Sequence, residues 1–176
     1  MPLLLKRFEF LLILLPSLQG CHLHLPKMFE QIKTKLAAGF DCIKLKIGAI
    51  DFTAELDLLK YIREQFSADE IEIRVDANGA FKPTNALEKL KRLAEFDLHS
   101  IEQPIKQGQL NEMAELCEQT PLPIALDEEL IGVFTPDKKR KVIETIRPQY
   151  LIFKPSFIGG YSGTQEWIDL CKEFDT

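Results

Sequence analysis

Residues 42–48, Cys-Ile-Lys-Leu-Lys-Ile-Gly, alternate apolar side chains with two lysines. This period of two predicts a β-strand with Lys44 and Lys46 on one face and the aliphatic side chains on the other. Two ammonium groups on one face repel each other, and an edge strand can expose such charges to water. Taken alone, the lysine pair therefore favours an ordinary edge strand over a functional site.

Four further short apolar segments follow, and each ends in a charged residue. Counted from Lys46, the series continues with Asp76, Glu102, Asp127 and Lys154, and its successive members are 25 to 30 residues apart. A β-strand with its following helix has about this length. The spacing predicts repeated βα units with parallel strands and a polar residue at the carboxyl end of each strand.

The fold class that we predict is α/β, a partial (β/α)8 barrel of the TIM type with about five of its eight strands. The patterns predict strands over 42–48, 71–76, 100–102, 122–126 and 150–154, and helices over 28–38, 53–66, 84–96, 110–118, 136–146 and 162–174. An open doubly wound sheet is the alternative, but no GxGxxG motif follows any strand. In a barrel the carboxyl ends of the strands form the active-site face.

The composition limits the classes of partner. The chain has 176 residues, which is enough for one domain with a core. Its net charge is −5, and it lacks the clustered basic residues that a nucleic-acid-binding surface requires. The one basic run, 138–141, is interpreted as the solvated face of a helix. The four cysteines show no CxxC spacing, which favours a reducing compartment and a cytoplasmic protein.

The first 27 residues do not share the pattern of the rest. One interpretation is a signal peptide, because residues 18–21 faintly resemble a lipoprotein cleavage site. Against it, Glu9 interrupts the apolar region, and the run 10–15 is too short to span a membrane. We expect residues 1–27 to be an atypical leader outside the fold and residues 28–176 to be a truncated barrel domain. His22 and His24 have no third ligand nearby and are not expected to hold a metal.

The strand-end carboxylates predict a metal site. Asp76, Glu102 and Asp127 would converge at the mouth of a barrel, where unpaired carboxylates repel one another. Mg²⁺, or Mn²⁺ in its place, would resolve this repulsion with oxygen ligands. The alternative is that each carboxylate only bonds to its own loop.

Lysines on both sides of such a cation indicate proton abstraction next to a substrate carboxylate, with the cation as Lewis acid. Positive charge from Lys44 and Lys154 would favour the neutral form of Lys46, which can then act as a base.

Together these motifs resemble the enolase superfamily, muconate-lactonising subgroup, over residues 28–176. The residues that carry the resemblance are Lys44-Leu45-Lys46, Asp76 in Arg74–Gly79, Glu102 in Ile101–Pro104, Asp127 in Leu126–Glu128, and Lys154 before Gly159-Gly160. The resemblance implies that the three carboxylates bind Mg²⁺ and that Lys46 and Lys154 face each other across the substrate. Sites of this type are known to pair a lysine base with Mg²⁺.

Within the superfamily, residues 125–132 and 153–160 most resemble the o-succinylbenzoate synthase family of menaquinone biosynthesis. This implies a lyase that dehydrates a succinyl-hydroxycyclohexadiene carboxylate through an enediolate. Lys46 would remove the α proton and return it to the departing hydroxyl, while Lys154 stabilises the anion. Asn78 and Glu128 are expected to support these groups, or else to form ordinary loop hydrogen bonds.

Two other functions stay open. A dipeptide epimerase or racemase of the same superfamily would use the same lysines as opposed acid and base. A non-catalytic remnant or partner-binding fragment is the third candidate, because family members carry a capping domain and a complete barrel. We expect the capping domain, the first strand and the last two strands to be missing, which would leave apolar strand edges exposed. The chain alone is therefore expected to be poorly soluble and weakly active or inactive.

Overall fold

The computed structural model describes residues 11–13 and 21–174, with side chains from residue 29 onward. Strands and helices alternate along this part of the chain. The strands are β1 (Leu11–Ile13), β2 (Cys42–Lys46), β3 (Glu72–Asp76), β4 (Ser100–Glu102), β5 (Ile124–Leu126) and β6 (Tyr150–Leu151). The helices are α1 (Cys21–Ala37), α2 (Phe52–Gln65), α3 (Pro83–Ala94), α4 (Leu110–Gln119), α5 (Pro136–Ile146) and α6 (Gly160–Phe174).

Local sequence signals set several helix boundaries. Asp51 caps α2 because its carboxylate accepts hydrogen bonds from the backbone N–H groups of Thr53 and Ala54. Helices α3 and α5 each begin with a proline, which suits the first turn because its missing N–H would have no partner there. Short 3₁₀ turns follow β5 at Glu128–Leu130 and β6 at Pro155–Phe157.

The six strands of the described residues form one parallel sheet in sequence order, β1 to β6. Each βα unit therefore places the next strand beside the previous one, as in a barrel. The register sets Lys46 opposite Asp76, and Asp76 opposite Glu102. The carboxyl ends of β2, β3 and β4 thus meet at one edge.

Apolar side chains from the strands and helices form a single buried core. Helix faces contribute residues such as Leu59, Leu90 and Trp167, each at most 1% exposed, and the strands contribute Leu45 and Ile73. Such a core holds the sheet rigidly, so the strand ends keep fixed relative positions. Among the described residues, no helix is long and apolar enough to cross a membrane.

The predicted α/β fold with a partial barrel is confirmed. The five predicted strands and the helices between them are present, and β4 and α5 have the predicted bounds. Strand β5 begins two residues later than predicted because Pro123 has no N–H to donate to a ladder. Strand β6 ends at Leu151, although the N–H of Ile152 still bonds to Leu126 at 2.8 Å.

The amino-terminal region differs from the prediction. Residues 11–13, within the expected leader, form β1 and pair in parallel with β2, so this part of the leader joins the sheet. Aliphatic residues at 11–13 can supply the backbone partners that the free edge of β2 lacks. Helix α1 also begins at Cys21, earlier than the predicted start at 28. The remaining leader residues, 1–10 and 14–20, and the side chains of His22 and His24 lie outside the described part.

Candidate metal and lysine site

The charged residues of the predicted series lie at the carboxyl ends of the strands. Asp76 and Glu102 are the last residues of β3 and β4, and Asp127 directly follows β5. Their exposed fractions are 1%, 3% and 2%. Three carboxylates as buried as these need compensating positive charge.

Three lysines supply that charge in the structure. Lys44 donates a hydrogen bond to Glu102 and lies 3.3 Å from Asp76. Lys46 donates to Asp76 at 2.6 Å. Lys154 follows β6 and donates to Asp127, with its ammonium nitrogen also 4.0 Å from Oε1 of Glu102. The structure therefore brings all six predicted side chains into one network.

Each of the three predicted metal-binding carboxylates is in contact with an ammonium group. Within residues 29–174, no three carboxylate, imidazole or thiol side chains are grouped as ligands for a metal ion.

One carboxylate oxygen of the site is nevertheless available to coordinate a cation. Oε1 of Glu102 is buried and has no hydrogen-bond partner in the described structure. A buried carboxylate oxygen without a partner costs free energy, and a hard cation would supply that partner. The ligand set is all oxygen, which suits Mg²⁺ better than zinc or copper. The residues present therefore fit the predicted metal.

The close packing of carboxylates and lysines shifts the pKa values of Glu102 and Lys154. The pKa of Glu102 is raised to about 7, above all by burial and also by the neighbouring carboxylates of Asp76 and Asp127, against the opposing effect of Lys44. For Lys154, burial works to lower the pKa, but the hydrogen bond and charge of Asp127 outweigh it and the pKa is raised. Lys154 thus keeps its positive charge.

Asn78 and Glu128 connect the two sides of the site. The amide of Asn78 accepts a hydrogen bond from Lys46 and donates to Oε1 of Glu128 at 2.8 Å. Its backbone N–H bonds to Asp76 at 3.0 Å, with φ at +45°. Asn78 therefore links the candidate base to the loop after β5.

Sequence reasoning missed three buried polar residues near the site: Glu55, Gln103 and Glu129, with exposed fractions of 1%, 0% and 6%. Glu55 accepts from the N–H of Gly48 at 2.6 Å, just beyond the Lys-x-Lys strand. Gln103 follows Glu102 directly, and Glu129 lies two residues after Asp127. For Gln103 and Glu129, adjacency to the strand-end carboxylates Glu102 and Asp127 was the available signal.

Comparison with known proteins supports the same assignment. Residues 27–176 match the family described as enolase C-terminal domain-like. The o-succinylbenzoate synthase of Desulfotalea psychrophila is 58% identical over 146 residues, which cover 83% of this chain and 39% of that protein. The crystal structure of MenC from that organism has a TM-score of 0.84 and 51% identity, over 93% of this chain and 43% of the other.

A racemase from Streptomyces coelicolor, solved with bound magnesium, has a TM-score of 0.79 and 25% identity, over 95% of this chain and 44% of the other. This chain thus spans about two fifths of the length of these relatives. The match extends over nearly all the residues from α1 onward and confirms the resemblance to the enolase superfamily. The chain belongs to the enolase C-terminal domain-like family.

Proposed function

We propose that this chain carries the catalytic residues of a magnesium-dependent dehydratase of the o-succinylbenzoate synthase type, a carbon–oxygen lyase of menaquinone biosynthesis. The observation that carries the proposal is the convergence of three buried carboxylates from adjacent strands with lysines on either side. The 58% identity to an o-succinylbenzoate synthase supports the choice of reaction.

Asp76, Glu102 and Asp127 are the residues that would hold Mg²⁺, or Mn²⁺ in its place. Bound there, the cation supplies Lewis-acid stabilisation of the negative charge that develops on the substrate carboxylate. Oε1 of Glu102, which has no hydrogen-bond partner among the described residues, supports the role of Glu102 as a ligand. Lys44, whose side chain is 11% exposed, remains below the mouth of the site as a fixed counter-charge.

Lys46 and Lys154 are the groups that can meet a substrate. Their side chains are 28% and 44% exposed, far more than the carboxylates they contact. In the proposed dehydration, Lys46 accepts the α proton of the succinyl-hydroxycyclohexadiene carboxylate. The electron pair left on carbon forms the new double bond, and the departing hydroxyl takes the proton back from Lys46 as water. Lys154, kept charged by Asp127, stabilises the anionic substrate.

The first test is Mg²⁺ binding by calorimetry on the 176-residue chain. We expect saturable binding with a dissociation constant below about 1 mM that is lost in Asp127→Asn. The matched control is Asp57→Asn, which changes an exposed aspartate on α2 and should bind as the unmodified chain does. Absence of binding, or equal loss in both variants, would overturn the proposed metal site.

A racemase or epimerase is the second candidate, because both lysines reach the mouth and the racemase from Streptomyces coelicolor shares the fold. The two reactions separate in deuterium oxide. A dehydratase converts the cyclohexadiene substrate to an aromatic product and leaves a dipeptide unlabelled. An epimerase incorporates deuterium at the α carbon of the dipeptide, and Lys46→Met and Lys154→Met each abolish exchange of one enantiomer. That result would replace the present proposal.

A chain that binds Mg²⁺ and yet performs neither reaction would favour the third candidate, a non-catalytic remnant. The proposed partner is a small carboxylate substrate.

The three cysteines whose side chains are described, Cys42, Cys117 and Cys171, are buried free thiols, which fits the proposed cytoplasmic location.

A further inference from the structure

Gln103 links the loops that carry the carboxylates of the site. We infer that it is a positioning residue that sets the spacing between Glu102 and Asp127. The inference rests on the proposed function, because it concerns the metal ligands of that same site. It follows from the hydrogen bonds of the Gln103 side chain, from its backbone, and from the second buried residue that it holds, Glu129.

The side-chain amide of Gln103 is fully buried and makes four hydrogen bonds. Its oxygen accepts from the backbone N–H groups of Asp127 at 3.3 Å and Glu129 at 3.2 Å. Its nitrogen donates to the carbonyl of Ile105 at 3.0 Å and to Oε2 of Glu129 at 3.3 Å. A primary amide has two donor and two acceptor positions, so every hydrogen-bonding position of this side chain is occupied.

The backbone of Gln103 ties the same loops together. Its N–H bonds to the carbonyl of Ala125 on β5 at 2.9 Å, and its carbonyl accepts from Gly79, in the loop after β3, at 2.7 Å. The φ of Gln103 is +40°, a left-handed conformation that side chains other than glycine rarely adopt. The surrounding hydrogen bonds hold it there, and they connect the ends of β3, β4 and β5.

Glu129 extends the network outward. Its exposed fraction is 6%, and its Oε1 accepts from the N–H of Gly108 at 2.9 Å. The loop after β4 is therefore held against the turn after β5 through the pair of Gln103 and Glu129. Without the amide of Gln103, the carboxylate of Glu129 and two backbone N–H groups would lose partners in a buried place.

The positioning role follows from where these bonds act. Gln103 is bonded covalently to Glu102 and hydrogen-bonded to the backbone of Asp127, so one side chain fixes the two carboxylates relative to each other. Groups that orient metal ligands in this way commonly change metal affinity by 10-fold to 100-fold when removed. The exposed surface of the site is unaffected by Gln103, because no part of its side chain reaches solvent.

Gln149, an exposed residue, offers a control at the other end of the strand. Its amide likewise connects two segments, accepting from the N–H of Ile124 at 2.9 Å and donating to the carbonyl of Cys117 at 3.2 Å. It acts at the amino end of β5, whereas Gln103 acts at the carboxyl end. Gln103→Met and Gln149→Met each delete an amide of this kind at nearly constant volume.

Two measurements on the full chain test the inference. In Gln103→Met we expect Mg²⁺ affinity to fall by about 10-fold or more, and the amides of Asp127 and Glu129 to exchange hydrogen at least about 10-fold faster, because each loses its acceptor. In Gln149→Met we expect faster exchange at Ile124 and unchanged Mg²⁺ affinity. Equal Mg²⁺ affinity in the two variants, or unchanged exchange at Asp127 and Glu129, would overturn the positioning role.

The exchange measurement keeps the inference separate from the proposed function. If the unmodified chain binds no Mg²⁺, the proposed function fails, while exchange at Asp127 and Glu129 still decides whether Gln103 holds them.

If Gln103→Met does not fold, Gln103→Glu replaces it. Its carboxyl keeps an acceptor for the amides of Asp127 and Glu129 but repels the carboxylate of Glu129. Those two amides should stay protected while Gly108 exchanges faster, and the reverse pattern would contradict the inference.

Discussion

The ammonium group of Lys44 on β2 donates a hydrogen bond to the carboxylate of Glu102 on β4, although β3 lies between these two strands in the sheet. Both side chains are buried, and the same ammonium lies 3.3 Å from Asp76 on β3. One lysine thus holds carboxylates from two strands. Its role is that of an internal counter-charge, distinct from the more exposed Lys46 and Lys154.

Replacing Lys44 with methionine should therefore destabilise the metal-free chain. The change leaves Glu102 buried without its hydrogen-bonded ion pair to Lys44, which costs about 3 kcal/mol at pH 8. The loss should be smaller at pH 6, because burial raises the pKa of Glu102 to about 7 and its carboxyl can then take up a proton. Urea unfolding at both pH values in the presence of a chelator measures the effect.

Lys91→Met is the control for Lys44→Met, since Lys91 is an exposed lysine on α3. It should change the free energy of unfolding by less than about 0.5 kcal/mol. Adding Mg²⁺ should restore part of the stability lost in Lys44→Met, because the cation then compensates the charge of Glu102. Equal destabilisation by the two substitutions would contradict the counter-charge role.

The sequence was sufficient to predict the strand ends but not the contacts made there. The alternation around Lys44 and Lys46 and the even spacing of Asp76, Glu102 and Asp127 reflect the periods of a strand and of a βα unit, which are local and regular. The roles of Gln103 and Glu129 depend on contacts with loops after other strands, which no local pattern reports. The ion pairs of the lysines were missed because the prediction assumed that a metal compensated the carboxylates.

The loop after β2 should tolerate no side chain at Gly48. Its φ is +88°, and a Cβ at this position would lie 2.4 Å from the Cβ of Ala80, well inside contact distance. Gly48→Ala should therefore cost about 3 kcal/mol, combining backbone strain and overpacking. Gly39 has the same φ and no atom within 4 Å of such a Cβ, so Gly39→Ala should cost only about 1 kcal/mol.

The double variant Gly48→Ala with Ala80→Gly isolates the steric part of this cost. It removes the clash and leaves the backbone strain, so its free energy of unfolding should recover toward that of Gly39→Ala. Denaturant unfolding of the three variants provides the comparison. A double variant no more stable than Gly48→Ala alone would show that the contact with Ala80 does not limit this loop.

Glu55 should give the folded chain a pH dependence of known sign. Burial raises the pKa of Glu55, against the opposing effect of hydrogen bonds from the backbone of Gly48, Ala49 and Ile50. A carboxyl with a raised pKa contributes stability below its unfolded pKa, about 4.5, and loses that contribution as the pH rises through its pKa in the folded chain. Glu55→Gln should therefore gain stability relative to the unmodified chain as the pH rises above about 4.5.

Glu70 serves as a control of opposite sign for Glu55. Hydrogen bonds from the backbone N–H and the hydroxyl of Ser67 lower the pKa of Glu70. Its contribution is therefore present above about pH 4.5 and is lost as the pH falls. Free energies of unfolding across the pH range should diverge in opposite directions for Glu55→Gln and Glu70→Gln, and parallel curves would contradict the assignment for Glu55.

Arg63 should affect stability without affecting the metal site, because it acts at the amino ends of the strands. Its guanidinium donates to the carbonyls of Phe96 and Asp97, each at 2.8 Å, and to Ile71 at 2.9 Å. Arg63→Met removes these donors and should cost about 3 kcal/mol. Its Mg²⁺ affinity should stay within about threefold of that of the unmodified chain, because the amino end of the strands in a barrel contributes to stability.

Arg63→Lys should recover little of the lost stability, since an ammonium cannot reproduce the planar fork that reaches several carbonyls at once. Thermal unfolding and calorimetry on the two variants test both statements, and a fall in Mg²⁺ affinity as large as that in Gln103→Met would show that the two ends of the strands are coupled.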